Sequence, residues 1–98
     1  MLHSPVHPGA VLSDVLDDMG ISVTKAASDL GISRQMLSGI LNGRKPITSD
    51  MAVRIGHYIG NGPDVWAKMQ TSFDLVESQR NMRDVIANIP KASEARLG

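Results

Sequence analysis

The chain has no cysteine among its 98 residues, so neither a disulfide framework nor a thiolate metal site is available to it. Its only aromatic side chains are Tyr58, Trp66 and Phe73, a poor supply for single-stranded nucleic-acid binding, which stacks successive bases on aromatic rings. No apolar run approaches the roughly 20 residues that a membrane span needs. The opening Met1-Leu2-His3-Ser4-Pro5 lacks the basic stretch and apolar segment of a secretory signal. A soluble, cytoplasmic protein is the expectation. Nothing in the pattern proposes a nucleophile, a base and a cleft together, so neither enzymatic activity nor a cofactor is expected. His3 and His7 lie in the leader, far from His57, and no tight acidic cluster joins them, so no metal site is expected.

Net charge is absent as well, with ten cations and ten acids. That is awkward for a nucleic-acid partner, whose affinity comes largely from neutralised phosphates. The distribution matters more than the sum. Residues 1–20 hold Asp14, Asp17 and Asp18 and no cation. Residues 21–60 hold Lys25, Arg34, Arg44, Lys45 and Arg54 against Asp29 and Asp50 only. The middle of the chain is its basic part. The three early acids read as the solvated face of a helix.

What is present is an apolar content of 42%, typical of a folded chain, arranged at helical spacing between Gly, Pro and cap residues. Val11, Leu12, Val15, Leu16 and Met19 form one stripe, with Pro8 suited to the first turn and Gly20 closing the helix. Ser22 caps a second helix that turns Ala26, Ala27 and Leu30 inward, and Gly31 stops it. Ser33 caps a third with Leu37, Ile40 and Leu41 on one face. Thr48 caps a fourth that buries Met51, Ala52, Ile55 and Ile59. Pro63 opens a fifth that buries Val65, Trp66, Met69, Phe73 and Val76. Leu75, Met82, Ile86 and Ile89 keep a helix-compatible spacing until Pro90, and Lys91 to Gly98 reads as a frayed tail. No segment alternates as a half-buried strand does. An all-α bundle follows, with a domain over 1–79 and an extension over 80–98.

From about Val23 to Asn42 the spacing meets the demands of a helix-turn-helix. Ala27 allows close helix approach, Gly31 tolerates the positive φ of the turn, and Ile32 plugs the core. Leu37 and Ile40 then anchor the second helix. Its remaining positions, Ser33, Arg34, Gln35, Ser38, Gly39 and Asn42, are short or hydrogen-bonding groups. Such a face suits a helix whose N-terminal end enters the major groove. Gln35 can take adenine N6 and N7, and Arg34 either guanine O6 and N7, a phosphate or a neighbouring acid. Ser33 can meet a phosphate while capping, and Ser38 with Gly39 permits close approach. Arg44 and Lys45 read as phosphate clamps. Thr24 and Lys25 stand at a helix N-terminus, which favours anions.

His7-Pro8-Gly9, this helix-turn-helix, the run Leu41-Asn42-Gly43-Arg44-Lys45-Pro46-Ile47-Thr48, and Pro63-Asp64-Val65-Trp66 with Met69-Gln70 and Phe73-Asp74-Leu75 resemble HigA-type antitoxins of the Xre/Cro-like group. The resemblance covers roughly residues 7–77. It implies a five-helix lambda-repressor-like fold with a helical C-terminal extension, a homodimer, and a palindromic operator in the protein's own promoter. It also implies a protein partner, a HigB-type toxin resembling the mRNA-cleaving RelE ribonucleases. DNA contacts carried over by position are Ser33, Arg34, Gln35, Ser38 and the Arg44-Lys45 loop. For dimerisation, Trp66, Phe73, Leu75 and Met82 are candidates, with closure of the monomer core the alternative for Trp66 and Phe73. A free-standing Xre-type regulator without a toxin, and a helical interaction module without DNA binding, are the competing readings.

Overall fold

The computed structural model describes residues 6–95. His3, the start of the leader and residues 96–98 of the tail lie outside the described residues. Within them the elements run α1 (Pro8–Asp18), α2 (Val23–Leu30), α3 (Arg34–Leu41), α4 (Ser49–Ile59), α5 (Pro63–Asn81), α6 (Arg83–Ala87) and α7 (Ala92–Ala95). No strand occurs among the described residues.

Local chemistry places the boundaries. Ser22, Ser33 and Thr48 adopt extended backbone, and each side-chain oxygen accepts the N–H three residues on, at 3.1, 3.0 and 3.3 Å. Those N–H groups have no partner inside their own helices, which is why Ser and Thr are favoured there. Gly20, Gly31 and Gly60 follow α1, α2 and α4 with positive φ, of 69°, 72° and 96°. The cap of α1 is not one the composition advertises. His7 Nδ1 accepts the Gly9 N–H at 2.9 Å, and Pro8 takes the first helical position.

Leu12, Leu16, Ala26, Ala27, Leu30, Leu37, Ile40, Ile47, Ala52, Ile55 and Trp66 form one buried core. Each fully buried Leu or Ile contributes about 1.5–3 kcal/mol against exposure. Ile32 packs against this core half-buried, as a plug should. Two glycines let backbones touch. A Cβ on Gly9 would collide with the Ile40 carbonyl, so α1 lies directly on the end of α3. One on Gly56 would collide with Gly62 and Pro63, which brings the start of α5 against α4.

The structure corrects several expectations. Met19 is 52% exposed, because it follows the last helical turn of α1 rather than joining its buried stripe. Val65 is 38% exposed and Trp66 1%. Only one side of α5 meets the bundle, and Trp66 takes it. Trp66 therefore sits in the monomer core, the alternative held for it beside dimerisation; its indole N–H is satisfied by Asn61 Oδ1 at 2.9 Å. Phe73 is half-buried, edge-on to the His7 ring at 4.9 Å between centroids.

The C-terminal third departs from a globular shape. α5 runs unbroken through positions 79 and 80, and every residue from 77 to 94 is exposed. The Cα radius of gyration is 17.7 Å, against about 13 Å for a compact chain of this length. A body carrying a projecting arm accounts for the 60 × 24 × 23 Å extents.

Candidate nucleic-acid interface

The groove that gathers the candidate side chains is built by α3 and the loop after it. The N–H groups of Arg44 and Lys45 both donate to the Gly39 carbonyl, at 2.8 and 3.0 Å. Gly43, with φ of 74°, provides the reversal. The loop is thereby bolted to the last turn of the helix, and two cations return alongside the residues of its first turn. The result is an open groove of about 470 Å³ lined by Arg34, Gln35, Ser38, Gly39, Arg44 and Lys45.

Arg34, Gln35, Arg44 and Lys45 are exposed, and Ser38 is half-buried. Among the described residues no acid pairs with Arg34, Arg44 or Lys45. The option that Arg34 is occupied by a neighbouring carboxylate is therefore not realised. A wall of unneutralised cations with amide and hydroxyl groups between them can accept a polyanion and still read hydrogen-bond patterns.

Four other expected residues do not line the groove. Ser33 has its Oγ engaged by the Met36 N–H, and Asn42 is exposed as the C-cap of α3. Thr24 and Lys25 are exposed on the first turn of α2. Lys25 Nζ rests on Asp29 Oδ1 at 2.9 Å, an exposed pair of the kind that contributes about 0–1 kcal/mol and yields readily to a phosphate. The Tyr58 hydroxyl, at 2.6 Å, and the Lys25 ammonium hold the Asp29 carboxyl below its ordinary range. The same bond pushes the Tyr58 hydroxyl up.

Gly39 is a correction. It is buried rather than exposed, because the Lys45 stem lies over it. It cannot serve as an open site for approaching DNA.

Sequence reasoning missed the residues that hold this face in place. Arg54, on α4, donates through Nη1 to the Leu30 carbonyl at 2.7 Å, satisfying the end of α2 beside the turn glycine Gly31. Gln70, on α5, is only 6% exposed. Its Oε1 accepts the Ile47 N–H at 2.7 Å and its Nε2 donates to Asp74 at 2.9 Å. Ile47 directly follows the Arg44-Lys45-Pro46 loop, so Gln70 ties that loop to the body. The one available signal was a polar residue at position 70, four after Trp66 and three before Phe73, where α5 turns inward.

Two short helices crossing through Gly31, with an open cationic face on the second, define a helix-turn-helix protein. The comparisons agree. The Helix-turn-helix family model matches residues 12–66, and the chain belongs to that family. Virulence-associated protein A' of Dichelobacter nodosus is 33% identical over 87% of this chain and 75% of its own length.

Solved structures narrow the class further. An addiction module antidote protein of the HigA family from Coxiella burnetii superposes with a TM-score of 0.85 at 26% identity, covering 91% of this chain and 99% of that one. Pseudomonas aeruginosa antitoxin HigA, solved with the higBA promoter, gives 0.85 at 28% identity over 90% and 98%. The fold is that of the HigA-type antitoxins, within the Xre-like helix-turn-helix proteins. No described helix is long and apolar enough to cross a membrane.

Proposed function

We propose that this protein is the antitoxin of a type II toxin-antitoxin module, binding its own operator as a homodimer and neutralising a HigB/RelE-like mRNA-cleaving toxin. The observation that carries the DNA half is the groove of Arg34, Gln35, Ser38, Arg44 and Lys45, whose cations have no acidic partner among the described residues. With α3 in the major groove, Gln35 and Arg34 reach base edges, and Arg44 neutralises a phosphate beside them. Thr24, Lys25, Ser33 and Asn42 meet the flanking backbone. The antitoxin half is supported by the match along nearly the whole length of the HigA-family structures.

Two copies are needed because one recognition helix covers only a few base pairs. A two-fold pair sets two such helices about 34 Å apart in successive major grooves. Leu75 and Met82, 57% and 42% exposed, lie where α5 leaves the body, and Val85, Ile86 and Ile89 extend the apolar surface. These residues form the pairing surface, with Phe73 at its edge.

The test has two arms. A gel shift on the gene's own upstream region should show a retarded dimer complex; no shift removes the repressor role. Co-purification with the product of the adjacent reading frame, and rescue of growth when that product is induced, should both succeed. Operator binding without rescue assigns the chain to the free-standing regulators instead.

A further inference from the structure

Resting on the reading of the α3 groove as the DNA face, we infer that Lys45 is a base-reading residue, seated for that task by Gly39. A phosphate clamp needs only a cation on a loop. Lys45 is held more closely than that. A Cβ built on Gly39 would stand 3.0 Å from Lys45 Cγ and Cδ and 3.4 Å from Cε. The whole aliphatic stem thus lies across a helix position that only glycine leaves bare.

The seat is on the reading side of α3. Gly39 is one turn beyond Gln35, about 40° from it around the helix axis. Lys45 lines the same groove as Arg34, Gln35 and Ser38. Its backbone is fixed by the bond from its N–H to the Gly39 carbonyl, and among the described residues no carboxylate claims its ammonium. A stem ordered before binding spares much of the rotamer entropy that a free lysine loses on making a contact. Lys45 thus extends the reading surface sideways from Gln35. The matching bases are those presenting acceptors in the major groove, guanine through O6 and N7 first.

Binding is measured on duplexes from the chain's own upstream region and all their single-base-pair variants. The proteins are wild type, Lys45→Met, Gly39→Ala and the double variant. Lys45→Met keeps the stem and removes the ammonium. It should lose about fivefold to hundredfold discrimination at one base pair per half-site, and at no other. Gly39→Ala lies in a helix with ordinary φ and only a flexible side chain above it, so it folds, shifts the stem by a few tenths of an ångström and should weaken the same preference. The double variant should discriminate no worse than Lys45→Met.

A uniform drop on every duplex for Lys45→Met makes Lys45 a phosphate contact and overturns the proposal. So does full discrimination in Gly39→Ala. If Arg34→Ala and Gln35→Ala also leave binding untouched, the groove itself is not the DNA face, a failure distinct from that of Lys45 alone.

Discussion

Replacing Gln70 with Leu removes the acceptor that Ile47 uses and the donor that Asp74 uses, at little change in volume. Leu is close in volume and the site is 6% exposed, so no large cavity opens. The Ile47 N–H, now bonded to Oε1 at 2.7 Å, is left beside an apolar side chain on a residue that is 3% exposed. A buried donor without a partner costs about 1–3 kcal/mol. The bond from Nε2 to Asp74 spans i to i+4 on a helix, a type that contributes about 0.2–0.5 kcal/mol. Burying methyl groups in place of an amide offsets part of both. A net loss of about 1–3 kcal/mol is expected, a large share of the roughly 5–15 kcal/mol that holds a small domain together. Urea unfolding followed by circular dichroism should show the midpoint falling with an unchanged slope, and Tm should drop by about 4–8 °C per kcal/mol. Operator affinity should fall too, since Ile47 anchors the loop of Arg44 and Lys45. A Gln70→Leu protein within about 0.5 kcal/mol of wild type would refute the assignment of Gln70 as the tie between loop and body.

His7 should make stability depend on pH. Burial lowers its pKa from the ordinary value, with Asp74 opposing, and the neutral ring caps α1. The folded state thus favours the unprotonated form, so its contribution is fully present above about pH 6.5 and is lost as pH falls through the lowered value. His7→Ala should flatten that fall and cost about 0.5–2 kcal/mol at pH 8; parallel pH curves would exclude His7. Arg54→Ala should cost about 0.5–1.5 kcal/mol by removing the bond to the Leu30 carbonyl, readable as faster amide exchange around Gly31, and unchanged exchange there would count against it. Arg44→Ala should weaken every DNA sequence alike and flatten the salt dependence by about one unit per subunit; an unchanged slope would remove Arg44 from the interface. Gln35→Ala should relax preference at one position per half-site by about 1–3 kcal/mol, whereas an equal loss on all sequences would make Gln35 a backbone contact.

Most of the bundle was legible in the sequence because its signals are local. Ser22, Ser33 and Thr48 act on N–H groups three residues away, and Gly31 marks a turn by its own backbone. The spacing of Ala27, Gly31, Leu37 and Ile40 encodes one crossing. What stayed hidden depends on distant residues. A glycine on the outer face of α3 looks like an opening toward DNA, and only the folded loop reveals Lys45 lying over it. An apolar stripe on α5 cannot say whether its partner is the same chain, as for Trp66, or another, as proposed for Leu75. Histidine is not among the preferred caps, so the sequence alone places His7 in the leader. Gln70 carries no local signal of its role, since its partner Ile47 lies 23 residues away.

On the proposed reading, the face opening at Arg34 meets duplex DNA. Amide chemical shifts of the protein, followed while its own upstream duplex is titrated in, test it most directly. The largest changes should fall between Ser33 and Lys45, with smaller ones at Thr24 and Lys25 on the first turn of α2. Binding that leaves Ser33 to Lys45 unmoved and perturbs other surfaces would contradict it.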